Sequence, residues 1–139
     1  MAADLEELKA MWLDLRAHVD LLAGERQQYL EFFEQASEAY VVTDPQGTIL
    51  DLNGAAVDIL QRRKRHLRGK PLSALVALER RAEFRRRLHA LAACVPGAER
   101  SWRTIMVPPQ LRVEVTLTAR LIERAGAVAG ICWHLDALQ

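Results

Sequence analysis

AYVVTDPQGTILDLN, residues 39–53, reads as a strand, a tight turn, a second strand and a helix start. Residues 39–43 are β-branched or aromatic apart from Ala39, which suits a pleated surface. Asp44-Pro45-Gln46-Gly47 is turn chemistry: an acid at the first position, a proline presetting φ at the second, a glycine at the fourth. Residues 48–52 resume the strand pattern. Asn53 can then cap a helix opening at Gly54-Ala55-Ala56, because its side-chain oxygen accepts a backbone N–H of the first turn.

Upstream, residues 4–23 carry Leu5, Leu8, Trp12, Leu15, Val19 and Leu22 at alternating spacings of three and four. That is a heptad seam, and it predicts a helix that packs against another helix, in the first place a second copy of itself. Asp4 can cap it, and Glu6 and Glu7 suit the positive end of its dipole. Gly24 breaks the pattern and marks a bend or hinge. A second helical stretch over 25–36 brings Tyr29, Leu30, Phe32 and Phe33. This apolar face needs cover, and the back of the following sheet is the nearest candidate. The expected division is an amphipathic dimerisation helix over 1–35 and a folded domain over 36–139, with Leu5, Leu8, Trp12, Leu15, Val19, Leu22, Tyr29, Phe32 and Phe33 as dimerisation residues.

Downstream of the hairpin the pattern predicts a helix over 54–60, a basic run over 61–70, a short helical connector over 71–78 and a longer helix over 79–95. The longer helix has one apolar stripe, Phe84, Leu88, Leu91 and Ala92, and ends at Pro96-Gly97. Three strands follow. The middle one, 111–122, alternates cleanly, with Leu111, Val113, Val115, Leu117, Ala119 and Leu121 on one face. Arg124-Ala125-Gly126 turns the chain into the last strand, 127–135. The element order describes an α+β fold with a five-stranded antiparallel sheet and its helices on one face.

The formal net charge of +1 conceals a division. Residues 1–60 hold three Lys/Arg against twelve Asp/Glu, a net −9; residues 61–139 hold sixteen against six, a net +10. Mutual neutralisation, within one chain or between two, is the simplest use of such halves. The basic run lacks the interleaved aromatic residues that stack bases, which disfavours nucleic acid. No apolar run approaches the roughly 18 residues of a membrane span, and the acidic N-terminus is unlike a signal peptide, so the expected compartment is the cytoplasm. Cys94 and Cys132 stand in apolar surroundings without metal-ligand spacing and are expected as reduced thiols. Ser37, Ser73 and Ser101 have no nucleophile context, and no phosphate loop, HExxH or paired-carboxylate motif is present, so no catalytic or metal site is expected.

Taken together, the TDPQGTILDLN hairpin, the Asn53-Gly54-Ala55-Ala56 helix start, Leu60, Gly69-Lys70-Pro71-Leu72 and the terminal GICWHLD closing at Asp136 resemble a PAS domain over about 36–136. The resemblance implies a sensory and dimerisation module, with an amphipathic helix that relays conformational change. It would be the sensor part of a histidine kinase or transcriptional regulator, with a homodimeric partner and an output domain or other signalling protein downstream. It also implies a ligand position between the sheet and the helices. A photoreactive flavin is excluded there, because NCRFLQ-like residues are replaced by NGAAVDIL. Haem would use His89, a redox flavin Trp102 or Trp133, and a small organic or carboxylate ligand Arg103. The first expectation is an interior packed without a cofactor by Val42, Leu50, Val57, Leu60, Leu75, Phe84, Leu88, Val113, Val115, Leu117, Ile131 and Trp133.

Overall fold

A computed structural model of the protein describes residues 6–10, 31–95 and 97–138. Five strands, β1 (Ala39–Thr43), β2 (Ile49–Leu52), β3 (Glu99–Met106), β4 (Val113–Arg124) and β5 (Ala127–Ala137), pair antiparallel in the order β2-β1-β5-β4-β3. Between β2 and β3 lie helix α1 (Gly54–Leu60), the single turn α2 (Lys64–Leu67), 3-10 turns at Leu72–Leu75 and Leu78–Arg80, and helix α3 (Arg81–Leu91). The backbone is also helical at 6–10 and 31–35. The expected α+β sheet with helices between its second and third strands is the fold observed.

The opening hairpin forms as its chemistry dictates. The Asp44 carboxylate accepts from the amides of Gln46 (3.0 Å) and Thr48 (2.9 Å), and Gly47 closes the turn with its N–H on the Asp44 carbonyl and a φ of 89°. Asn53 caps α1, accepting from the Ala56 amide at 3.1 Å. It does more than cap. The same Oδ1 accepts from the Tyr40 amide at 3.0 Å, and its Nδ2 donates to the Glu38 carbonyl at 2.8 Å. One fully buried side chain therefore ties the start of α1 to β1.

The core lies between the inner face of the sheet and the helices, where Leu52, Leu60, Leu67, Leu72, Phe84, Met106, Leu117 and Trp133 are fully buried. Two expected core positions are corrected. Val42 faces the opposite side of the sheet, in a separate cluster with Phe33, Tyr40 and Cys132, while Ala39 and Val41 face inward. Leu50 is 44% exposed. The register shifts between Val42 and Thr43, so that Asp51 opposes Val42 and Ile49 opposes Thr43; Leu50 is left as the extra residue of a bulge and leaves the inner face.

Helix α3 is shorter than the expected 79–95. From Ala92 onward each amide bonds three residues back, Ala92 to His89, Ala93 to Ala90 and Cys94 to Leu91, so the last turn tightens and the α-helix ends. Ala92, the last residue of its expected stripe, is exposed. The β4–β5 hairpin runs longer than expected because Ala125 and Gly126 both take positive φ (54° and 81°), a two-residue turn whose twist matches the strands it joins. Of the N-terminal seam, Leu5, Trp12, Leu15, Val19, Leu22 and Tyr29, with Gly24, lie outside the described residues.

Candidate functional site

The space between sheet and helices is occupied by three aromatic side chains brought from distant parts of the chain. Trp133 of β5 is fully buried and stacks on Phe84 of α3, with ring centroids 5.3 Å apart and planes 27° from parallel. Trp102 of β3 meets Trp133 edge-on at 5.9 Å and 85°, and Phe84 at 6.2 Å. These separations lie in the range at which aromatic pairs attract beyond simple burial. The indole N–H of Trp133 donates to the Thr43 hydroxyl at 2.9 Å, which satisfies it and links β5 to β1. The indole N–H of Trp102 is buried without a partner among the described residues. Arg87 lies over the Trp102 ring, 5.2 Å from its centroid, and roofs the cluster on the α3 side.

The outer face of the sheet carries a polar cluster under helical residues 6–10. Glu6 accepts from Arg120 of β4 at 2.7 Å and from Lys9 at 3.1 Å. Lys9 is nearly buried, with its ammonium 4.0 Å from the centre of the Tyr40 ring. The Tyr40 hydroxyl donates to Glu38 at 2.7 Å, and the Tyr40 ring lies 5.2 Å from that of His134. Burial pushes the Tyr40 hydroxyl pKa up, and the Glu38 carboxylate that it serves adds to the rise. Burial also raises the Cys132 thiol. For Glu6, burial acts upward, but Lys9 and Arg120 outweigh it and hold the carboxyl below its ordinary value. Phe33 closes over Tyr40, Val42 and Cys132, so one of the aromatic residues of the second helical stretch covers the back of the sheet, while Phe32 remains half-exposed.

The two charge halves meet within the chain. Glu6 with Arg120, Glu34 with Lys64, and Asp51 with both Lys64 (2.8 Å) and Arg68 (3.2 Å) all join the acidic front to the basic back. Two members of the basic run are thus committed to structural pairing around the nearly buried Asp51.

Of the four residues proposed for a ligand, the structure brings Trp102 and Trp133 together and leaves the other two apart. His89 is exposed on α3, and Arg103 is exposed on β3 next to the inward-facing Trp102, and so on the opposite face. A surface recess of about 300 Å³ lined by Val57, Asp58, Gln61, Arg62 and Arg63 shares no residue with the aromatic cluster. Sequence reasoning missed the Glu6–Lys9–Tyr40–Arg120 cluster. Acid in a first helical turn and Arg120 on the polar face of an alternating strand were both visible, but no local spacing joins positions 6 and 120. Among the described residues no group of three His, Cys, Asp or Glu is placed to hold a metal, both cysteines are free thiols, and no helix is long and apolar enough to cross a membrane.

A sheet of order 2-1-5-4-3 with its helices inserted between the second and third strands defines a class, and comparison identifies it. A family model described as "PAS fold" matches residues 33–137, three-quarters of the chain; the chain belongs to this family and is a PAS signalling domain. Solved structures share the fold at low identity. The PAS domain of an HTR-like protein from Haloarcula marismortui superimposes with a TM-score of 0.72 at 12% identity, covering 88% of this chain and 99% of that one. The PAS domain of a LuxR-family transcriptional regulator from Burkholderia thailandensis, in complex with ethanol, gives 0.64 at 19%, covering 79% and 96%. A domain of a sensory box sensor histidine kinase/response regulator from Geobacter sulfurreducens gives 0.65 at 16%, covering 84% and 97%. No curated protein matches the chain significantly.

Proposed function

We propose that this PAS domain works by protein contact: it dimerises through its N-terminal helix and relays or scaffolds a signal, as the sensor part of a histidine kinase or transcriptional regulator, without catalysis of its own. The observation that carries this reading is the interior. Phe84, Trp102 and Trp133 fill the space between sheet and helices with their own rings, and Trp133 satisfies its polar atom within the chain. The outer face, by contrast, receives residues 6–10 through Lys9 over Tyr40 and Glu6 on Arg120, and Phe32, next to the buried Phe33, stays half-exposed. Relatives of the same fold belong to a sensor kinase and a LuxR-family regulator, which suits a module read by a neighbouring output domain. The chain's internal pairing of acidic front with basic back supports a protein partner over nucleic acid.

Light scattering of the wild type and of the double variant Trp12→Lys with Leu15→Lys tests it. A wild-type dimer that the variant converts to monomer is expected; a wild-type monomer at tens of micromolar refutes dimerisation.

A second reading rests on one atom. The buried, unpartnered indole N–H of Trp102 would donate to a small hydroxylic or carbonyl ligand admitted beside the cluster, and the Burkholderia relative is a complex with ethanol. Native mass spectrometry and an absorbance scan of the purified protein separate the readings, since a stoichiometric bound mass or colour belongs only to the second.

A further inference from the structure

The sheet has two edges, and the chain covers them unequally. At β2, the segment 69–72 lies along the edge: Gly69 donates to Ile49 and Ile49 to Lys70 (both 2.8 Å), and Leu72 donates to Gly47 at 2.8 Å. At β3, the segment 75–77 does the same to one end only. Ala77 donates to the Ile105 carbonyl and Val107 to the Leu75 carbonyl, each at 2.8 Å, around an antiparallel bridge between Val76 and Met106. These bonds fix which residues of β3 point outward. In an antiparallel strand the outward backbone groups recur at every second residue, so the odd-numbered positions face the edge and the even-numbered ones face β4. The bond from Leu121 of β4 to the Ala98 carbonyl agrees.

Beyond Ile105, therefore, the N–H and C=O groups of Ser101 and Arg103 look outward with no further backbone partner among the described residues. The Glu99 carbonyl is already occupied by the Arg100 guanidinium at 2.9 Å. Arg100 and Arg103 are both exposed and form no ion pair with another described residue, whereas Arg112 and Arg120 of the adjacent segment and strand are paired. Arg87, over Trp102 and paired with Glu83 at 3.8 Å, lies beside the same stretch, whose one acid is the exposed Glu99.

We propose that this open edge of β3, centred on Ser101 and Arg103, is a docking site for an extended acidic segment of a partner protein, which adds to the sheet as a short sixth strand. The chain's own 75–77 segment shows that the edge accepts a strand, and it sets the limit of the site, since the added strand must stop where 75–77 begins. What remains, Glu99–Thr104, is about 20 Å of strand at roughly 3.3 Å per residue. Main-chain bonds to residues 101 and 103 supply attachment, and alternate side chains of the partner meet Arg103 on the outer face. Charge selects the occupant. A second copy pairing through the same edge would set Arg100 and Arg103 against their own kind, an arrangement that opposes edge-to-edge self-association. An acidic strand meets opposite charge at the same positions.

Amide hydrogen exchange of the full chain, read by NMR at Ser101 and Arg103, tests the site with a blocked hexapeptide of alternating glutamate and valine at millimolar concentration, because one short strand binds weakly. Exchange at these two amides is expected to slow at least about tenfold, with less slowing as salt rises and little with the lysine–valine counterpart. The surface variant Arg103→Glu, checked for an unchanged fold by its amide spectrum, should exchange the preference and favour the lysine peptide. Absence of slowing with the glutamate peptide overturns the proposal. So does equal slowing by both peptides, and so does strong protection of the two amides in the free protein, which would mean that the edge is already paired between copies.

Discussion

Replacing Asn53 by alanine separates two accounts of the hairpin. If Asn53 only caps α1, the substitution costs what an N-cap costs, about 1 kcal/mol. The structure assigns it three hydrogen bonds at zero exposure, to the amides of Ala56 and Tyr40 and the carbonyl of Glu38. Alanine leaves the Tyr40 amide in the interior without a partner, an additional cost of about 1–3 kcal/mol. The Glu38 carbonyl belongs to a half-buried residue that water can reach, so its loss adds little. The expected total is about 3 kcal/mol, within a range of roughly 2–4. Urea unfolding followed by tryptophan fluorescence measures it directly, since Trp102 and Trp133 are buried together. Asn53→Asp keeps an acceptor for both amides but sets a second oxygen against the Glu38 carbonyl, so the cost it carries reports the loss of the third bond and not of the cap. An alanine cost near 1 kcal/mol would refute the account in which this side chain ties the helix to β1.

Trp133→Ala removes the central ring of the cluster and should destabilise by about 3–5 kcal/mol, measured by the same unfolding; a loss below about 1 kcal/mol would mean that the interior is loosely filled. Gly130→Ala places a methyl 2.7 Å from the Thr43 carbonyl oxygen, inside the β1–β5 pairing, and should cost about 1–3 kcal/mol, with altered amide shifts confined to those two strands. Because Lys9 and Arg120 depress the Glu6 pKa, the attachment of residues 6–10 is complete above the ordinary carboxylate range and is lost as pH falls through the lowered value. Chemical shifts of Lys9 and Arg120 should therefore stay constant through neutral pH and change only in acid, and Glu6→Gln should reproduce the acid spectrum at pH 7.

Local chemistry explains which parts of the fold were readable. Asp44, Pro45 and Gly47 fix a turn within four residues, and Asn53 meets Ala56 three residues later, so both could be read from spacing. The other partners of Asn53, Tyr40 and Glu38, stand 13 and 15 residues upstream, and only strand pairing brings them near. The bulge at Leu50 is a property of two strands in register, not of either alone. The inward expectation for Val42 fails for a related reason. All five residues of β1 are buried, because helices cover one side and Phe33 with residues 6–10 the other. A strand buried on both faces has no polar alternation to say which side is which. Strand β4, buried on one face, does alternate: of the expected set, Val115, Leu117, Ala119 and Leu121 are in the core and Val113 packs against it, while Leu111 precedes the strand and is half-exposed.

The site was legible in its residues but not in its meaning. Trp102 and Trp133 stood out as aromatic residues on predicted strands, and an aromatic residue on a strand suits a cofactor wall and a filled core equally well. What distinguishes the two is whether the rings meet, and that depends on β3 lying two strands from β5 and on α3 presenting Phe84 between them. No spacing within either strand encodes that meeting. The remaining polar atoms then differ in a way that composition could not reveal: one indole N–H is satisfied by Thr43, 90 residues away, and the other by none of the described residues. The contrast gives the aromatic cluster its experimental use. Trp102→Phe removes the unpaired donor while keeping an aromatic ring. If the donor serves no ligand, the substitution should be close to neutral in stability, the lost packing of the larger indole being offset by relief of an unpaired buried group. If a ligand accepts from it, the bound mass found with the wild type should disappear while the fold remains.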